Sequence, residues 1–201
     1  MGKMVYDVRR EVEYLKMLPQ VDPKRIGFMG FSLGAKAAVY VAAFAPEIRA
    51  TVSIDPHIAI NGSTNWYDPW FLDWRHHFND IDTSSYPIPE LRGTVQSLLN
   101  PDPARPGFER DHHEVLALAA PRPLMVIGGS RAKENGAGDS DDRGSWSYAN
   151  RVKEVYTYLG VPDRFVFALT NDGHHATGPE IDPAWQSFLE CWLKNGPNPD
   201  R

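Results

Sequence analysis

A single cysteine, Cys191, in a chain of 201 residues excludes an internal disulfide, so the fold must hold by packing alone. No apolar run approaches the ~20 residues that a membrane-spanning helix needs, and the N-terminus lacks the basic-then-apolar pattern of a secretory signal. A large excess of one charge is also missing. Lys and Arg number 21 against 26 Asp and Glu, a formal net charge of -5, and neither sign gathers into a block able to follow phosphates or an anionic membrane. Nucleic acid and membrane are therefore not expected as partners, and the expected compartment is the cytoplasm, unless a signal once preceded Met1. What the chain does have is an ordinary globular composition, 42% hydrophobic and 23% charged, which predicts one packed domain over residues 1–201.

Periodicity orders that domain. Val5, Val8, Val12, Leu15 and Leu18 recur at threes and fours among Arg and Glu, which predicts an amphipathic helix lying on a sheet and ending before Pro19. After the turn at Asp22-Pro23, residues Arg25 to Gly30 read as a buried strand. A helix follows from Leu33 to Phe44, apolar on nearly every side and stopped at Pro46. Further strands are predicted over 50–54, 123–128 and 164–169, with helices near 145–159 and 182–193 after the last two. Alternation of this kind predicts an α/β fold built on a mostly parallel, doubly wound sheet. One interval breaks the rhythm. Residues 56–120 carry Trp66, Trp70, Trp74, Tyr67, Tyr86, His76 and His77 with several prolines, and they are expected to form an irregular cap or lid insertion, or else a covering over the sheet.

The most specific motif is Gly30-Phe31-Ser32-Leu33-Gly34, a G-x-S-x-G pentapeptide that leaves a predicted strand and opens a predicted helix. Such a turn forces strained angles on the serine, and small residues at Gly30 and Gly34 are expected to let strand and helix approach. Ser32 is thereby presented as a nucleophile at a helix N-terminus, with the Leu33 N–H as the expected oxyanion donor. A serine alcohol needs a base, and the base needs a carboxylate to fix its tautomer. The loop after the last strand offers His174 and His175, which are adjacent and cannot both point at Ser32. The Gly-rich loop after residue 128 offers Glu134, Asp139, Asp141 and Asp142, with Asp141 and Asp142 best placed before a helix whose N-cap is expected at Ser145, with Trp146 and Tyr148 packed behind it.

Over nearly its whole length the chain resembles the α/β-hydrolase superfamily, in the branch of bacterial acetyl xylan esterases and dienelactone-hydrolase-like esterases. The resemblance rests on Met4 to Arg10, Val21 to Gly27, the elbow, His113 to Leu118 with Ala120 to Pro123, and Ser145 to Tyr148. It implies a serine carboxylesterase with the triad Ser32, Asp141 and His175, acting on short-chain, acetyl-type esters and needing neither metal nor cofactor. The likeness starts at the helix before the elbow strand, so a truncated α/β-hydrolase fold is expected, without the earlier strands and the first oxyanion loop. Residues 25–30 would then form an open sheet edge, and self-association to a homo-oligomer, through that edge or the first helix, is expected.

Two further readings complete the sequence. His112 and His113 beside Asp111 and Glu114 are expected to be the polar entry to a helix over 115–119 in preference to a metal site, and Cys191, on a helix with Trp185, Phe188, Leu189 and Trp192, is expected to be a core or near-core thiol. Acyl transfer on the same triad, or a non-catalytic remnant that binds ligands, are the rival functions.

Overall fold

The computed structural model describes residues 2–56, 58, 112–129, 145–170, 178–179 and 181–195. Helix α1 spans Gly2–Lys16, strand β1 Phe28–Phe31, helix α2 Leu33–Phe44 and strand β2 Thr51–Ile54. Helix α3 (His112–Ala117), strand β3 (Leu124–Gly129), helix α4 (Trp146–Tyr158), strand β4 (Phe165–Thr170) and helix α5 (Asp182–Glu190) follow, and a π-turn over Cys191–Asn195 ends the described chain.

The four strands pair in parallel in the order β1-β2-β3-β4, with Phe28 opposite Thr51, Thr51 opposite Leu124 and Leu124 opposite Phe165. β3 is buried throughout, as a parallel strand covered on both faces must be, and this is why its sequence is a continuous apolar run. On one face Val39 and Ala42 of α2, Leu116 of α3, and Ala149, Val152 and Tyr156 of α4 enclose Leu124, Val126 and Phe165. On the other, Phe188 of α5 and Ile181 meet Val52, Ile54, Met125 and Ile127. Helices on both faces make the sheet doubly wound.

Helix α2 lies at the centre because alanine dominates it and lets neighbours come close. Its Val39 side faces α3 and α4, and its Val41 side faces α1. Helix α1 therefore rests mainly on α2, through Val5, Val8 and Val12 against Val41, Ala45 and Ile48, with Phe28 its link to the sheet. Arg122 ties this end of α2 down, donating to the carbonyls of Ala42, Ala45 and Ile48. Tyr156 in turn donates to the Arg122 carbonyl at 2.7 Å, and burial pushes its phenol well above the ordinary range.

Within the interval 56–120, Ile58, Leu116 and Ala119 belong to the main core, and residues 59–111 lie outside the described residues. Cys191 is corrected by the structure: α5 ends at Glu190 and the wider π-turn carries the thiol to an exposed position. No described helix is long and apolar enough to cross a membrane.

Candidate active site

Parallel pairing brings the carboxyl ends of all four strands to one edge of the sheet, and in open α/β sheets that edge is where ligands bind. Ser32 sits there, between β1 and α2, with φ 57° and ψ -117°. Its N–H bonds the Ile54 carbonyl at 3.0 Å and its carbonyl accepts from the Lys36 N–H at 3.1 Å, so the residue is the hinge between sheet and helix. The hydroxyl makes no capping bond to the helix it precedes. Leu33 is the first residue of α2, and the N–H groups of a helix's first turn have no acceptor within the helix.

The tightness of the turn has a steric origin at one glycine. A Cβ on Gly30 would stand 2.0 Å from the Gly34 oxygen and 2.8 Å from the Ala35 nitrogen, both backbone atoms. At Gly34, by contrast, a Cβ would meet nothing within 4 Å. The requirement for a bare backbone thus falls on Gly30, and the expectation for Gly34 is corrected. Ser53 completes the mounting: wholly buried on β2, it donates to the Ala35 carbonyl at 2.8 Å and pins the first turn of α2 to the sheet.

Two residues at this edge escape a reading of the sequence. Asp55 follows β2, is 3% exposed and has φ 59°. Among the described residues it and Ser32 are the two non-glycine positions with positive φ, and the register that sets Phe31 opposite Ile54 makes them neighbours. Backbone strain of this kind costs about 1–3 kcal/mol per residue and gathers at functional sites. A buried acidic residue therefore neighbours the serine along the backbone of the sheet edge. Lys36 is the second. It is the sole charged residue of α2 and fully buried, one turn after Ser32.

The other anticipated residues flank this edge in the chain. β3 ends at Gly129 and β4 at Thr170, so the chain leaves both strands here; Asp141, with Glu134, Asp139 and Asp142, and the pair His174 and His175 lie outside the described residues. His113 is buried with its ring 5.4 Å from that of Tyr148, joining the starts of α3 and α4. Ser145 is buried and helical, with no side-chain capping bond, and Trp146 is half exposed with its ring against Phe167. Among the described residues no three His, Cys, Asp or Glu side chains are grouped as a metal site would require.

Residues 9–103 match the family described as BAAT / Acyl-CoA thioester hydrolase C terminal. The 4-O-methyl-glucuronoyl methylesterase of Hypocrea jecorina is 31% identical over 132 residues, 63% of this chain and 27% of that protein. The 4-O-methyl-glucuronoyl methylesterase 1 of Phanerochaete chrysosporium is 24% identical over 96% of this chain and 40% of its own length. A glucuronoyl esterase of carbohydrate esterase family 15 from Caldicellulosiruptor kristjansonii superposes with a TM-score of 0.65 at 21% identity, over 96% of this chain and 50% of that one. The chain thus spans a quarter to a half of the proteins it matches here. The sheet, the elbow and the flanking helices are those of the α/β-hydrolase fold, as expected from the sequence. The narrower resemblance to acetyl xylan and dienelactone-hydrolase-like esterases is met only at that level, since these relatives carry a different esterase name.

Proposed function

We propose that this chain is a serine carboxylesterase with Ser32 as its nucleophile. The observation that carries the reading is the serine itself, held at strained angles on a strand-to-helix turn, its hydroxyl not used to cap the helix. In the proposed reaction His175 takes the proton of Ser32 as the oxygen attacks an ester carbonyl, and the Leu33 N–H receives the developing oxyanion. The alcohol leaves with the proton from His175, an acyl-enzyme remains, and water attacks it by the same route in reverse.

Two carboxylates compete to orient the imidazole. Asp141 is the acid that family resemblance selects. Asp55 is favoured by its burial and strained backbone beside Ser32. For substrate, the resemblance drawn from sequence favours acetyl-type esters, and the names of the relatives favour methyl esters of a glucuronoyl group.

The test is hydrolysis of p-nitrophenyl acetate and of a methyl glucuronate ester by the wild type, Asp55→Asn and Asp141→Asn. The variant that removes the orienting acid should lose about 10³–10⁴-fold in kcat, the loss seen when a triad carboxylate becomes an amide. The glucuronate ester should show the higher kcat/KM. No turnover of either ester by folded protein would overturn the esterase reading, and equal, small losses in both variants would remove both acids from the mechanism.

A further inference from the structure

On the flank of the sheet remote from Ser32 lies a crevice of about 270 Å³ between α4 and the outermost described strand, β4. Among the described residues its lining is aromatic and apolar, with Lys153 the one charged side chain. Trp146, Asn150 and Lys153 come from α4, and Phe165 and Phe167 from β4. The spacing sets this composition out in order. Residues 146, 150 and 153 fall on one side of a helix, and 165 and 167 on one face of a strand. Trp146 and Phe167 meet edge-to-face at one end, with ring centroids 5.5 Å apart.

Lys153 is at the other end, its ammonium donating to the Pro162 carbonyl at 2.6 Å and the Phe165 carbonyl at 3.0 Å. An ammonium has three protons, and two carbonyls hold it in place without neutralising its charge. Among the described residues that line the crevice there is no carboxylate. From Trp146 to Lys153 is seven helical residues, a rise of about 10 Å.

We propose that this crevice binds an elongated, flat aromatic carboxylate, with its rings against Trp146 and Phe167 and its carboxylate toward Lys153. Aromatic walls select a flat apolar body, the Lys153 ammonium selects an anion, and a separation of about 10 Å selects a bicyclic or similarly extended acid over a short fatty acid. Two strands separate β4 from the elbow strand, so at ~4.8 Å per strand the crevice is well over 10 Å from Ser32. The inference is independent of the esterase reading.

Calorimetric titration of the full chain carrying Ser32→Ala with 2-naphthoate tests it, since that variant needs no turnover. Saturable 1:1 binding is expected, at least tenfold weaker for the neutral 2-naphthamide. Lys153→Met should weaken naphthoate at least tenfold, and Lys153→Arg should hold it within about threefold because the charge stays, so a fold defect at this position is separated from loss of the cation. Absence of saturable binding, equal binding of acid and amide, or equal affinity in Lys153→Met would overturn the proposal. So would sedimentation showing that a second copy of the chain already fills the crevice, as a dimer that Trp146→Ala disperses.

Discussion

Gly30→Ala isolates the geometry that presents the nucleophile. The added methyl would lie 2.0 Å from the Gly34 oxygen, 2.3 Å from the Gly34 carbonyl carbon and 2.8 Å from the Ala35 nitrogen. Ordinary carbon contacts begin near 3.5 Å. No rotamer can relieve the clash, because every atom met is backbone, so α2 or β1 must shift by more than 1 Å, roughly, before the contact is even tolerable. The helix cannot yield freely, because Ser53 holds its first turn and Val39 and Ala42 are locked in the core. The cost should reach the top of the range for overpacking, about 3 kcal/mol or more. For a chain of this length that lowers Tm by about 6–12 °C, at 2–4 °C per kcal/mol. Gly34→Ala is the control: its Cβ meets nothing, the position is helical, and exchange of glycine for alanine should raise stability by about 0.5–1 kcal/mol. Differential scanning calorimetry of both variants settles the matter. A Gly30→Ala protein melting within a degree or so of wild type, or a Gly34→Ala protein falling as far, would refute the argument.

Arg122→Ala should lose about 2–4 kcal/mol in urea unfolding, because three carbonyls at and just beyond the end of α2 each lose a donor, although Ala45 keeps the Ile48 N–H, and Arg122→Lys should recover only part since an ammonium cannot reproduce the guanidinium fork. Tyr156→Phe should cost about 1 kcal/mol by the same measurement, through loss of its bond to the Arg122 carbonyl. Glu47 provides a pH dependence. Burial pushes its carboxyl up, but its backbone hydrogen bond, the Arg9 hydrogen bond and the charges of Arg9 and Lys16 together bring it below 4.5. A depressed carboxylate contributes stability that is full above the unfolded pKa and lost as pH falls through the folded one. Wild type should therefore exceed Glu47→Gln by a few tenths of a kcal/mol at neutral pH, with the difference gone in acid below the folded pKa; an unchanged difference there would contradict the assignment.

How much of this could be read in the sequence follows from the physics of each part. The starts of β2 and β3 lie within one residue of expectation because strands buried on both faces must be apolar at every position, as in Leu124–Gly129, whereas the strand expected over 25–30 is corrected: β1 starts at Phe28 and, at the edge of the described sheet, is only partly buried, with Met29 exposed. Gly30 was legible through the elbow motif, but which glycine of the pair is sterically required depends on distances between β1 and α2 that spacing does not encode. The burial of Lys36 left a visible signal, one charge in an otherwise uncharged helix. Asp55 left less, because an Asp-Pro pair after a strand reads as an ordinary turn, and its strain exists only once β2 is set beside β1. The exposure of Cys191 is not legible, because the helical spacing of Trp185, Phe188 and Leu189 carries no sign that the chain widens into a π-turn after Glu190.

Whether Ser32 is an activated nucleophile is tested most directly by covalent capture. The purified chain is incubated with a fluorophosphonate at neutral pH and digested, and the modified peptide is sequenced by mass spectrometry. Stoichiometric labelling at Ser32, absent in heat-unfolded protein and accompanied by loss of ester hydrolysis, is the predicted result. An unlabelled Ser32 in folded protein, or label distributed over other serines, would contradict the account.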